Sequence, residues 1–327
     1  MYTEIDILEN HIVDKYPEVL NILLRDHTTQ KNIFWATDNY NNLGDSYRFN
    51  AEIFPNLITE TNGNIIMPRV QKNKILQQSR SKEMAEVFTP SWVCNAQNNL
   101  IDNAWFGREN VFNFEINAEG KRTWNLNPEK NTFPDGKTWK HYVRDTRLEI
   151  TCGEAPYLAS RYDTTTGNFI TVENRIGLLD RKLRVINENV DQSGEWLEAA
   201  QTAYQNIYGF EWQGDSLLLA REALLITFIE NYQLKFGKEP LLKSIQYIAY
   251  IISWNIWQMD GLKGVIPNSC GTKTTETTNL FGEIEKQENT CDGCSKNNIH
   301  SHNGIYCLIK DWKNKGQKIR FVDLIKK

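Results

Sequence analysis

The sequence predicts an α/β fold: a parallel, doubly wound sheet preceded by a helical, partly irregular N-terminal region and followed by a cysteine-rich loop. Three observations carry this. Short apolar runs at 147–151, 209–212 and 255–259 alternate with longer stretches of helical period, the pattern of strands joined by crossover helices. The 327 residues, 40% hydrophobic and 24% charged, can bury a sizeable core. Beyond residue 265 the periodicity stops, and four of the six cysteines lie there.

Taken in order, residues 3–27 read as one or two helices. Ile5, Ile7, Leu8, Ile12 and Val13 recur at helical spacing, as do Val19, Leu20, Leu23 and Leu24 after Pro17. The stretch 28–64 is rich in Asn, Asp and Gly and reads as irregular. Residues 91–103 form a helix, with Pro90 at its start and Val93, Ala96 and Leu100 on one face. Residues 107–138 are polar and contain Pro128 and Pro134, and they read as a long loop or insertion. Helices are predicted over 175–187 and 195–207. Asp215 is placed to cap a long helix carrying Leu218, Leu224, Leu225, Phe228 and Tyr232. A further helix covers 241–252. Residues 319–325 offer a fourth strand. The chain thus divides into 1–80, 81–265 and 266–327.

A net charge of −4 gives no general attraction to nucleic acid, so any such contact needs local patches. Arg69, Lys72, Lys74, Arg80 and Lys82 form one. The tail from Lys310, with Lys313, Lys315, Lys318, Arg320, Lys326 and Lys327 against Asp311 and Asp323, forms another. Either patch also reads as an ordinary solvated face. The most apolar run, 245–257, is too short to span a bilayer and contains Gln246, Ser253 and Asn255. No signal-peptide pattern opens the chain, and a reducing, cytoplasmic setting suits the cysteines. Cys291-Asp292-Gly293-Cys294 is a CxxC knuckle flanked by Cys270 and Cys307, and the four would make a tetrahedral structural zinc site. His300 and His302 are alternative ligands. A redox CxxC and unliganded thiols are the competing readings. Cys94 and Cys152 read as small buried residues.

Four motifs follow one another along the chain. They are Glu86-Val87-Phe88-Thr89-Pro90, Glu149-Ile150-Thr151-Cys152-Gly153-Glu154-Ala155-Pro156-Tyr157-Leu158, Tyr208-Gly209-Phe210-Glu211, and Asn255-Ile256-Trp257-Gln258-Met259-Asp260-Gly261. Together they resemble the S-adenosylmethionine (SAM) half of an adenine-N6 DNA methyltransferase of restriction-modification systems, over residues 80–264. The resemblance implies a Rossmann-like class I SAM-dependent methyltransferase sheet. Glu149, Thr151, Gly153 and Ala155 would turn around the methionine part of SAM, with Phe88, Thr89 and Pro90 closing over it. Glu211, followed by Trp212, would bind the ribose hydroxyls, and Asp260 the adenine amino group. Taken singly, the same residues also read as a tight strand-to-helix turn, a surface acid and an Asp-Gly turn.

The family's Asn/Asp-Pro-Pro-Tyr/Phe box, which handles the amino group being methylated, does not occur in these residues. Asp38, Asn39 and Tyr40 offer a loose substitute that lacks the proline and reads more readily as a turn. The resemblance therefore implies a DNA adenine methyltransferase, or its SAM-binding subunit, acting with DNA and with a second subunit or a restriction nuclease. The alternatives are a catalytically inactive DNA-binding or scaffold protein of the same fold, a methyltransferase for another substrate, or a SAM sensor.

Overall fold

In the computed structural model, which describes residues 5–6, 9–83, 88–118, 120–278 and 284–325, the chain opens with α1 (Glu9–Lys15) and α2 (Val19–Leu24). Ile12, Leu20, Leu23 and Leu24, at helical spacing, are buried in the same apolar cluster as the helices that follow. The N-terminal region therefore shares the main core rather than having one of its own. After short 3₁₀ turns and α3 (Pro55–Ile58), α4 (Lys74–Glu83) and α5 (Ser91–Phe106) follow. Pro90 occupies the N-cap position of α5.

Residues 113–126, read as loop, form an antiparallel hairpin, β1 (Asn113–Ala118) with β2 (Lys121–Leu126). Its strands expose most residues on both faces, so no alternation of apolar and polar residues marks them. Next come α6 (Trp139–Arg144), β3 (Arg147–Glu149), α7 (Leu178–Asn189), α8 (Ser193–Gln205), β4 (Ile207–Glu211), α9 (Gly214–Phe236), α10 (Leu242–Asn255) and β5 (Ile256–Gln258). Gln213, not Asp215, is the N-cap of α9. That helix is buried on every side from Gly214 to Tyr232, and some of its polar residues find partners inside. Arg221 donates to the carbonyls of Leu23, Ile256 and Ser253, while Glu230 pairs with Arg175 at 2.7 Å and Arg161 at 3.4 Å.

The sheet is parallel in the order β3-β4-β5, as the alternation of strands and helices requires. Side chains alternate between its faces. Ile207 and Ile256 point to the main core, whereas Tyr208, Phe210, Trp257 and Met259 belong to a second, smaller apolar cluster. The C-terminal segment builds that cluster. After the hairpin β6 (Lys273–Thr278) and β7 (Ile284–Asn289) and the short α11 (Asp292–Lys296), β8 (Leu308–Asp311) and β9 (Gln317–Arg320) pair antiparallel. Cys307, Ile309, Ile319 and Phe321 press onto the sheet from this side. Residues 319–325 thus give no fourth parallel strand. The chain turns back on β8 at 317–320 and continues as a 3₁₀ turn at Phe321–Leu324. Leu148, on the edge strand, and Ile150, just past its end, stay 43% and 66% exposed. Among the described residues no helix is long and apolar enough to cross a membrane.

Candidate cofactor cleft and metal centre

A cleft of about 960 Å³ opens at the carboxyl ends of β3 and β4, the place where doubly wound sheets bind ligands. Phe88, Thr89, Glu149, Thr151, Gly153, Glu211 and Trp212 line it, together with Lys82, Tyr157 and Ser216. Three segments far apart in sequence therefore meet in one cavity. Its volume lies in the range of about 300–1,000 Å³ usual for small-molecule sites.

The turn after β3 is unusual. Thr151, Gly153 and Ala155 all adopt left-handed backbone, at φ 47°, 54° and 58°. Only glycine does so without strain, so Thr151 and Ala155 are held there by their surroundings. Cys152 N–H donates to Phe210 O at 2.9 Å, and Gly153 N–H to the Glu211 carboxylate at 2.9 Å. Nothing lies within 4 Å of the position a Cβ would take on Gly153. The backbone there is open to a ligand.

Glu149 and Glu211 are nearly buried, 9% and 8% exposed. Burial pushes Glu149 well above the usual carboxylate range; the Tyr157 and Leu158 N–H groups oppose this, and the charge of Glu211 adds to it. Its second oxygen, Oε2, has no protein partner. Burial also raises Glu211, against N–H donors from Gly153, Gln213 and Trp212. Two acids thus border the cleft, and on one of them a buried oxygen lacks a partner within the protein.

The Thr89 wall is tied down. Its carbonyl accepts from the Thr164 hydroxyl at 3.1 Å, and Ser91 N–H donates to Asp163 at 2.7 Å. Arg69 lies 4.7 Å over the Phe88 ring. Glu86 and Val87 lie outside the described residues. Pro90 serves α5, and Ala155 is fully buried; neither lines the cleft. Asp260 is not brought there either. Its Oδ1 accepts the N–H groups of Leu262 and Lys263 at 3.1 and 3.2 Å, the bonding of a turn-forming aspartate. Gln258, which the sequence did not single out, holds the end of β5 instead. Its amide accepts from Phe34 N–H at 3.1 Å and donates to Phe34 O and Trp212 O, both at 2.8 Å.

Asp38, Asn39 and Tyr40 stand apart from the cleft lining. Asp38 accepts from Asn41, Asn39 N–H donates to Thr37, and the Tyr40 hydroxyl donates to Asp215 at 2.8 Å. Asp215 is fully buried and also meets Arg80 at 2.8 Å and Lys72 at 3.4 Å. Burial would raise its pKa, but Arg80 and Lys72 outweigh that and hold it well below the usual range. The first basic stretch is accordingly not a free patch, since Lys72 and Arg80 are internal. In the second, Lys310 bonds the Tyr250 hydroxyl at 2.7 Å and lies 4.6 Å over the Trp312 ring, while Arg320 pairs with Asp323. Lys326 and Lys327 lie outside the described residues.

Cys270, Cys291, Cys294 and His302 converge, with one ligand atom from each inside a 4.8 Å span, and could hold a metal ion. The Cys270 sulfur lies 3.2 Å from that of Cys291, 3.5 Å from that of Cys294 and 3.3 Å from His302 Nδ1. A tetrahedral zinc with ordinary bond lengths has edges of about 3.5–3.8 Å, close to these. Cys307 is not the fourth ligand. It is fully buried in the smaller core, where its thiol donates to Gln258 O at 3.4 Å. The histidine alternative takes its place. No known protein family, curated protein or solved structure matches this chain.

Proposed function

We propose that the protein is a SAM-binding module of an adenine-N6 DNA methyltransferase, working on DNA with a second subunit or a restriction nuclease in a defence system. The single observation behind this reading is the cleft, in which Phe88, Thr89, Glu149, Thr151, Gly153, Glu211 and Trp212 share one cavity. The β3-β4-β5 order also agrees with one half of a doubly wound nucleotide-binding sheet.

The residues fit the cofactor in two respects. The open space at Gly153 admits a ligand against bare backbone. The unpartnered Oε2 of Glu149 accepts a donor such as the methionine ammonium of SAM. Glu211 keeps lone pairs for ribose hydroxyls while accepting from Gly153 and Gln213. Bound SAM would supply an electrophilic methyl group; the chain's own contribution is to orient it and exclude water. Structural zinc is our reading of the Cys3His group, since four protein ligands leave no position open for chemistry.

Calorimetric titration with SAM tests the proposal. Heat of binding in the wild type and its loss in Glu211→Ala are expected. No heat, or an unaltered variant, overturns the cofactor reading. One observation favours a second reading, a non-catalytic member of the fold: the Tyr40 hydroxyl is committed to Asp215 rather than to the cleft. SAM binding without methyl transfer to plasmid DNA would select it for the chain acting alone.

A further inference from the structure

The Cys3His group is wired to the turn that ends the sheet. The backbone N–H of His302 is held by the Tyr306 hydroxyl at 2.7 Å, and that hydroxyl donates to Ile299 O at 3.0 Å. Tyr306 forms a β-bridge with Val265, and Val265 forms another with Asp260. Ile266 N–H donates to Ile305 O at 2.8 Å and Cys307 N–H to Gly264 O at 3.1 Å. Ser269, next to the ligand Cys270, accepts Ile305 N–H at 3.0 Å. The fit is close: Gly264 has φ +68°, and a Cβ there would meet Val322 at 2.2 Å.

From this knot the contacts continue to the cleft. Phe321 N–H donates to Cys307 O at 2.9 Å, and the Phe321 ring packs 6.0 Å from Phe210 and 5.3 Å from Trp257. Phe210 directly precedes Glu211. The layer over this face of β4 and β5 has only a small apolar cluster of its own. Around the ligands, Asp292, Ser295, Lys296 and Asn297 are exposed and add no apolar burial. Three thiols and an imidazole gain little from convergence without a cation, whereas a bound metal contributes its binding free energy to the fold.

We propose that a divalent ion of the zinc type, bound by Cys270, Cys291, Cys294 and His302, is the clasp that keeps segment 299–307 bonded to turn 260–266, and that it thereby sets ligand affinity in the cleft without touching the ligand. The affinity clause rests on the SAM reading above; the clasp does not.

The test uses the full chain, stripped with a high-affinity chelator and reloaded with Zn²⁺, or with Co²⁺ as a spectroscopic probe. Amide hydrogen exchange is read at Asp260, Ile266, Cys307 and Phe321, with Leu224 and Leu225 of α9 as internal controls. Stripping is expected to speed exchange at the first four about tenfold or more, leave α9 protected, and weaken SAM binding about tenfold; reloading restores both. His302→Cys keeps metal and protection, whereas His302→Ala loses both. The clasp is overturned if Co²⁺ gives no tetrahedral thiolate spectrum, or if stripping leaves the four amides unchanged. Absence of SAM binding by the zinc-loaded protein overturns the cofactor reading and the affinity clause with it, and the exchange result still decides the clasp.

Discussion

The N–H of Gly153 donates to the carboxylate of Glu211 at 2.9 Å, joining the turn after β3 to the end of β4 across the floor of the cleft. The two residues lie far apart in sequence, and this bond, beside that of Cys152 N–H to Phe210 O, sets the spacing between the cleft's backbone wall and its acid. Substitutions on either side should therefore be felt on the other.

Gly153→Ala tests the wall. A left-handed alanine costs about 1–2 kcal/mol, and its methyl group would enter the open space beside the backbone. We expect a small fall in melting temperature and SAM binding weakened about tenfold or more, a loss of about 1.4 kcal/mol. Wild-type affinity in a folded variant would show that no ligand approaches this backbone.

Glu149 makes both stability and binding depend on pH. Burial raises its folded pKa, so the ligand-free fold holds a proton that the unfolded chain releases near the ordinary value. The stability this contributes is fully present below the unfolded pKa and is lost as pH rises through the folded pKa. Binding of a cationic donor runs the other way and strengthens over the same window. Glu149→Gln should flatten both profiles, as read by denaturant titration and calorimetry across pH. A variant with unchanged pH slopes would remove Glu149 from the site.

Arg80→Ala probes the internal ion cluster. Removing the guanidinium leaves the fully buried Asp215 with Lys72, Tyr40 and the Ser216 N–H, and breaking a buried pair costs about 3–5 kcal/mol. Tyr40→Phe, which removes one hydroxyl, should cost about 1–3 kcal/mol. Because the pKa of Asp215 is depressed, the stability it contributes is present above its unfolded value and disappears as pH falls through the folded one. Urea midpoints at neutral and acid pH measure all three effects.

Metal content separates the cysteines. Cys294→Ser should lower bound zinc from about one ion per chain to near none, while Cys307→Ala should keep it and lose stability through its core position. Elemental analysis with thermal unfolding reads both. The opposite pattern would restore Cys307 as a ligand.

Strands β4 and β5 were legible because burial on both faces leaves short apolar runs between helical periods, and Glu149 and Glu211 mark the ends of β3 and β4. The hairpin at 113–126 was not, since its strands are mostly exposed and alternate nothing. Lys72 and Arg80 looked solvated because their counter-ion, Asp215, is distant in sequence. Spacing favoured Cys307 over His302, and only the inward course of the chain at 307 decides between them. Asp260 matched its motif position, yet its side chain is used by its own turn.

The alternating left-handed residues 151, 153 and 155 bear on how this ribbon tolerates change. Thr151 holds a conformation that glycine adopts freely, so mutational drift toward Gly or Asn there relieves strain rather than adding it. Thr151→Gly should leave the fold intact while loosening the ribbon, so what threonine supplies is rigidity of shape at some expense in stability. Ala155 has no such latitude, because its side chain is fully enclosed and any larger residue must displace the core.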